Sequence, residues 1–313
     1  PETNTAQAAS VATSPGELPQ SKKAYARASE QTRAHMAAGN FELAEMLARS
    51  LVAVQAGDAH AWELLVMSQF KSGNQAGLKH SIDMLADKSD LGHVHALAFG
   101  QLTVLNKDFP TARAYFQNAL ATNRKCAGAL EALTRLDFQQ ANTDTAAFHT
   151  KQFMKLFPKD PYGHYASATL HILADNKRKA EAILRKSIKL RKTAEALNDL
   201  AWLLNERGEY TIAERTVREA LDMNSELPQL WDTLGTTQLN ANNFDDARDS
   251  FEKAAALSPD DASALLNLAE LHVRKGDLPK ARELNKRIMG LPEKLTNAEQ
   301  DKLKALRDKI EKA

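Results

Sequence analysis

The sequence predicts an all-α solenoid: a stack of helix–turn–helix units that carries its function on an extended surface. Three observations predict it. Ala44, Ala112, Ala146, Ala180, Ala213, Ala247 and Ala281 recur at a near-constant interval, with Leu78 filling the one gap. Successive steps are 34 residues, except one of 33, and that period is the one expected of paired helices. Between the two helices of a unit fall Gly39, Gly73, Gly208 and Gly276, with Asn242 and Asp175 in two more units. These residue types tolerate the left-handed backbone that ends a helix. Large side chains fill the neighbouring slots: Trp62, Leu130, Leu197, Trp231 and Leu265, then Leu200, Leu234 and Leu268 three residues later. Spacings of three and four make one apolar helical face.

Taken in chain order, residues 1–20 are rich in Ala, Ser, Thr and Pro and hold only Val11 and Leu18 as large apolar residues. Such a stretch buries too little surface to offset its ordering entropy, so a flexible tether is expected. Its start at Pro1, without Met or leader, is expected of an excerpt or a processed form. Eight units follow over 21–292, at 25–58, 59–92, 93–126, 127–160, 161–193, 194–227, 228–261 and 262–292. Pro158 and Pro259 fall where a second helix must stop, and Pro161 and Pro228 where a first helix opens. Lys107 and Ala141 occupy turn positions without the usual residue type, so units three and four are expected to be less regular. After Gly290 and Pro292, residues 296–313 predict an amphipathic helix with Leu303, Leu306 and Ile310 on one side. Thr296 or Asn297 is its N-cap, and its duty is to close the end of the stack.

Residues 228–261 carry the family signal. Trp231, Leu234, Gly235, Ala247, Phe251 and Pro259 stand at six of the seven positions of the W-x2-L-G-x2-Y…A-x3-F…P pattern, with Gln238 where Tyr is usual. The chain therefore resembles tetratricopeptide repeat proteins. The resemblance implies antiparallel helices A and B stacked in a right-handed superhelix, with the A helices lining the inner surface. The segments LNDLAWLLNERGEY and LWDTLGTTQLN are also similar to repeats in bacterial proteins of exopolysaccharide and envelope export systems. With the tether, that similarity gives the periplasm or cell envelope as the expected location and the cytoplasm as the alternative.

Composition narrows the rest. Lys and Arg number 41 and Asp and Glu 40, so net charge favours no polyanion. Cys126 alone excludes an intrachain disulfide framework and any multi-cysteine metal site. No run of 18 apolar residues offers a membrane span. Phosphate loop, nucleophile elbow and H-E-x-x-H are all missing, so neither enzyme activity nor a cofactor is expected. His35, His171 and His272 share one repeat slot, and His93 and His95 point to different faces, which reads as packing. Asp199 and Asp232 sit in consecutive A helices and are expected to line a solvated groove, not to split into an acid and a base.

Two surfaces remain as binding candidates. Inner slots of the A helices grade from apolar to acidic and amide-bearing, and Tyr162, Tyr165, Asn198, Asp199, Trp202, Asn205, Asp232, Asn267 and Glu270 are the residues expected to hold an extended peptide. Tyr165 and Trp202 are its anchors. The Lys and Asn set with which chaperone-binding relatives hold a C-terminal carboxylate is missing. The second surface is the run Lys177, Arg178, Lys179, Arg185, Lys186, Lys189, Arg191 and Lys192, opposed only by Glu181. It reads as a solvated outer helix face or a docking patch for an anionic polymer such as an exopolysaccharide. Without interleaved aromatics it disfavours nucleic acid. The predicted function is thus a non-enzymatic scaffold for a partner protein or peptide. The alternatives are polymer binding and the repeat part of a larger enzyme.

Overall fold

The computed structural model describes residues 18–291 and 295–312. The tether expected over 1–20 lies, for residues 1–17, outside the described residues, as do residues 292–294 and 313. Among the described residues the chain forms 17 α-helices, one 3₁₀ turn (Ser89–Leu91) and no strand. Sixteen helices make eight consecutive hairpins: α1 (Lys22–Ala38) with α2 (Phe41–Val54), α3 (Ala59–Lys71) with α4 (Gln75–Leu85), α5 (Gly92–Leu105) with α6 (Phe109–Thr122), α7 (Ala127–Gln139) with α8 (Thr143–Leu156), α9 (Pro161–Leu173) with α10 (Lys177–Leu190), α11 (Ala194–Glu206) with α12 (Tyr210–Met223), α13 (Pro228–Asn240) with α14 (Phe244–Leu257), and α15 (Ala262–Arg274) with α16 (Leu278–Met289). Helix α17 (Asn297–Lys312) follows. The chain divides into two compact units, the first ending at Leu170 and the second beginning at His171.

Each hairpin turns on one left-handed residue. Positive φ occurs at Gly39, Gly73, Lys107, Ala141, Asp175, Gly208, Asn242 and Gly276, which repeats the period of the alanine series. Lys107 (φ 62°) and Ala141 (φ 55°) adopt the same conformation as the glycines. The irregularity expected at units three and four is therefore absent from the turn itself. The geometry is kept and the side chain bears the steric cost, because packing of the flanking helices fixes the turn.

The helices of a hairpin approach closely because every member of the small-residue series, and Leu78, is fully buried. Where a slot needs more bulk, its partner shrinks. Phe116 and Phe251 are fully buried, and each lies where a Cβ on Gly100 or Gly235 would come within about 2.6 Å of its ring. A Phe buried in this way contributes about 3 kcal/mol.

One polar position after the alanine fixes the register between hairpins. In three B helices it is a glutamate that binds an arginine one turn later and a group on the following hairpin. Glu45 takes Arg49 (2.6 Å) and Asn74 (2.9 Å), Glu181 takes Arg185 (2.9 Å) and Arg207, and Glu214 takes Arg218 (2.7 Å) and Gln238 (3.4 Å). In α6 the sign is reversed: Arg113 reaches the buried Asp137 of α7 at 2.7 Å.

Helix α17 ends the second unit. Thr296 is its N-cap: Glu299 N donates to Thr296 Oγ1 (3.3 Å) while Glu299 Oε2 accepts from Thr296 N (2.7 Å). Leu303, Leu306 and Ile310 are buried against Ala262, Leu265, Leu266 and Ile288, and Asp301, Lys304 and Asp308 face outward. Helix α17 thus covers α15 as a further A helix would.

The turn geometry has a measurable consequence. Replacing Ala141 by Gly removes a left-handed alanine at the cost of a looser unfolded chain, and a net gain of about 0.5–1 kcal/mol is expected. Gly208→Ala should lose a similar or larger amount. Thermal melts of both variants check this, and equal melting temperatures would contradict it.

Candidate functional site

In the second unit α11 and α13 each carry one continuous stripe of mostly half-buried side chains. At 100° per residue, Glu195, Asn198, Asp199, Trp202 and Glu206 fall on one side of α11, opposite the buried Leu197, Leu200, Ala201 and Leu204. Gln229, Asp232, Thr233, Thr236 and Asn240 do the same on α13. Two groups on α11 stand out chemically. The indole N–H groups of Trp62 and Trp231 donate to the carbonyls of Ala56 (2.9 Å) and Ser225 (2.7 Å). The half-buried Trp202 ring carries Lys177 Nζ at 5.5 Å from its centroid, and its N–H has no acceptor among the described residues. One turn earlier, the amide oxygen of Asn198 is also without a donor.

The stripe closes towards the C-terminus. Asn267 donates to Asp232 Oδ1 at 2.5 Å and accepts from Lys302 of α17 at 2.5 Å. Glu270 is held by Arg274 (3.3 Å) and Lys309 (2.7 Å). Burial holds the Asp232 carboxyl above the usual range, opposed by the Asn267 hydrogen bond and the Lys302 charge. Asn205 is buried and accepts from Asn240 at 3.3 Å. Of the residues expected in the groove, Asn205 and Asn267 are therefore internal ladder residues, because neighbouring A helices satisfy their amides. Asn198, Asp199, Trp202 and Asp232 lie half-buried along the stripe, and Glu270 is held by Lys309 of α17.

Tyr162 and Tyr165 belong to the first unit. Tyr162 is buried, with Phe153 edge-on at 5.1 Å, Arg135 over its ring at 5.0 Å, and its hydroxyl donating to the Glu131 carbonyl at 3.3 Å. It is a packing residue instead of a groove residue, since α7 and α8 already cover it. Tyr165 is half-buried beside it, with ring centroids 6.3 Å apart.

The basic run lies on α10 and just beyond it. Arg178, Lys179, Arg185, Lys186, Lys189 and Lys192 are exposed, and Lys177 and Arg191 are half-buried. Lys177 pairs with Glu206 (3.1 Å), and Lys192 with Glu219. A cleft of about 430 Å³ between Ser258–Ala262 and Leu291–Glu299 is lined by Asp260, Asp261 and Glu299. Two of these acids already serve as caps, Asp261 for α15 and Glu299 for α17.

Comparison with known proteins fits this geometry. The tetratricopeptide repeat profile matches residues 193–227 and 233–291. These two segments are tetratricopeptide repeats, and the fold of the chain is a tetratricopeptide solenoid. Among solved structures, a chain of the APC/C hetero-tetramer Cut9–Hcn1 superposes with a TM-score of 0.80 at 17% identity, over 91% of this chain and 56% of that one. PilW, a widely conserved type IV pilus biogenesis factor, superposes with a TM-score of 0.58 at 16% identity, over 69% of this chain and 98% of its own. The repeat protein thus spans little more than half the length of the first. No curated protein matches it in sequence.

In the first unit of this tetratricopeptide solenoid the inner slots are drawn together. Glu63 of α3 reaches past α5 to the start of α7, where the Gly128 N–H approaches Glu63 Oε2 at 3.4 Å. His93 of α5 lies at 3.8 Å, and Lys71 bridges α3 to Glu131 of α7 at 3.7 Å. Burial raises the Glu63 carboxyl to about 7, against the Gly128 and Cys126 hydrogen bonds that favour its charge. Burial also lowers His93 and raises the Cys126 thiol, which is wholly inside and therefore inert. This cluster escapes sequence reading, because Glu63, His93 and Cys126 lie 30 and 33 residues apart and only the period brings them together.

A carboxyl raised in the folded state stabilises fully below its ordinary value, 4.5, and that contribution is lost as pH climbs through about 7. Glu63→Gln should match the wild type near pH 5 and exceed it at pH 8 by at most about 3 kcal/mol. Denaturant unfolding across that range tests it. A difference independent of pH would contradict it.

Proposed function

We propose that this protein is a non-enzymatic scaffold that binds an extended peptide segment of a partner protein along the stripes of α11 and α13. Tetratricopeptide repeats are protein-interaction folds and typically non-catalytic, which supports the general reading. The observation that carries the specific one is the half-buried Trp202 indole on α11, whose N–H has no acceptor among the described residues, one turn from Asn198, whose buried amide oxygen has no donor. A peptide backbone carries acceptors for the indole N–H, and the indole face covers one of its side chains. Both groups lie on rigid helix instead of loop, so little ordering opposes binding.

The flanking stripe is acidic and amide-bearing, with Glu195, Asp199 and Asp232. It therefore suits a peptide that is neutral or basic near the contact.

Partners captured on the immobilised wild-type chain should be lost from Trp202→Ala. A half-buried anchor of this size is worth about 2 kcal/mol, so an affinity loss of about thirtyfold is expected, with Asn198→Ala causing a smaller one. Both variants should keep the wild-type circular dichroism. Recovery of the same partners with undiminished affinity would overturn the stripe assignment.

A further inference from the structure

The outer face of α10 carries five exposed cations and no exposed acid. Counting at 100° per residue, the buried side centres on Ala180, Leu184 and Ser187, and the exposed side centres on Ala182. Around Ala182 stand Arg178, Lys179, Arg185, Lys186 and Lys189, all exposed. The helix has one acid, Glu181. It is buried and held by Arg185 and Arg207, so it does not offset the outer charges. Arg178, Lys179, Lys186 and Lys189 have no ion-pair partner among the described residues.

Two large exposed apolar side chains stand at the two ends of this segment of chain. Leu173 precedes the helix by four residues and is 59% exposed; Leu190 is its last residue and is 44% exposed. Leu190 continues the row of Lys179 and Lys186, at spacings of seven and four. Ile212, at the start of the next outer helix α12, is 40% exposed.

We infer that the α10 face is a docking surface for a bilayer carrying anionic lipid headgroups. The arrangement selects among anionic partners. A polysaccharide or nucleic acid gives an exposed leucine nothing apolar to meet. A protein interface places its apolar anchors at the centre and its charges on the rim, whereas here the cations are central and the leucines terminal. A membrane interface satisfies both: headgroups neutralise the cations, and the leucines at either end enter the acyl boundary. The helix, about 21 Å long, then lies flat on the surface.

The test is co-sedimentation of the full chain with vesicles of phosphatidylcholine alone and with phosphatidylglycerol added. Binding only to the anionic vesicles is expected, weakening as salt rises. The triple variant Lys179→Glu, Lys186→Glu, Lys189→Glu should lose more than about tenfold in partition. Leu173→Ser with Leu190→Ser, which leaves the charge unchanged, should lose severalfold. Trp202→Ala should bind vesicles as the wild type does, which separates this surface from the peptide-binding stripe. The substituted lysines and leucines are exposed and Trp202 is half-buried, and circular dichroism confirms that the variants fold. Failure to bind anionic vesicles would overturn the inference. So would binding that ignores both leucines and is competed fully by soluble alginate, because the face would then be a polymer site.

Discussion

The close approach of each A helix to its B helix, permitted in seven of the eight hairpins by one fully buried alanine, is the constraint on which the rest of the structure depends. Large residues on the facing helix fill the space it leaves, and Gly100 and Gly235 yield that space to Phe116 and Phe251. The contact recurs at a fixed interval, so every other side chain is placed at that interval too. Hydrogen bonds between successive A helices follow: Gln101 to Met67, Asn240 to Asn205, Asn267 to Asp232 and Lys302 to Asn267, each spanning 34 or 35 residues. A stack built this way depends on repetition, and no single core residue defines it.

That dependence explains what was legible in the sequence. The all-α repeat fold was readable because period, turn residues and apolar spacing report the same contact from three directions. The turns at Lys107 and Ala141 look wrong locally, yet they adopt the left-handed backbone because flanking helices decide the conformation. The site was harder to read. Slot geometry indicates which residues leave the hairpin's own interface, but not whether a neighbouring hairpin then covers them. Tyr162, Asn205 and Asn267 point as expected and are nevertheless buried, through Arg135 and Phe153, through Asn240, and through Lys302. The Glu63 cluster is the same effect at its strongest. A carboxylate at an inner slot, ordinarily solvated, is enclosed by two following hairpins.

The outer surface follows a different rule. B-helix side chains that leave the hairpin meet solvent or one glutamate–arginine pair, so their exposure can be read from sequence more directly. The cations of α10 are exposed for that reason, and Glu181 is not, because its slot is the one that ties each B helix to the next turn. The register device thus removes the only negative charge from the most basic face of the chain. Net charge near zero conceals this separation.

Internal satisfaction also explains why the candidate stripe belongs to α11 and α13 and not to the whole inner side. In the first unit several inner polar groups are engaged by neighbouring A helices: Glu63 by Gly128, Lys71 by Glu131, Gln101 by Met67. At the C-terminal end α17 supplies two lysines to Asn267 and Glu270. Trp202 and Asn198 keep a donor and an acceptor that nothing among the described residues engages. Unpaired polar groups at half-buried positions cost stability, and the repeat could have removed them as it did at Trp62 and Trp231, whose N–H groups are both satisfied by backbone. Buried polar atoms without a partner also occur at Gln69, His93, His95, Thr150 and Asn285, but on α11 one stands a single turn from an unengaged indole N–H, and that combination is the physical reason to look for a ligand there.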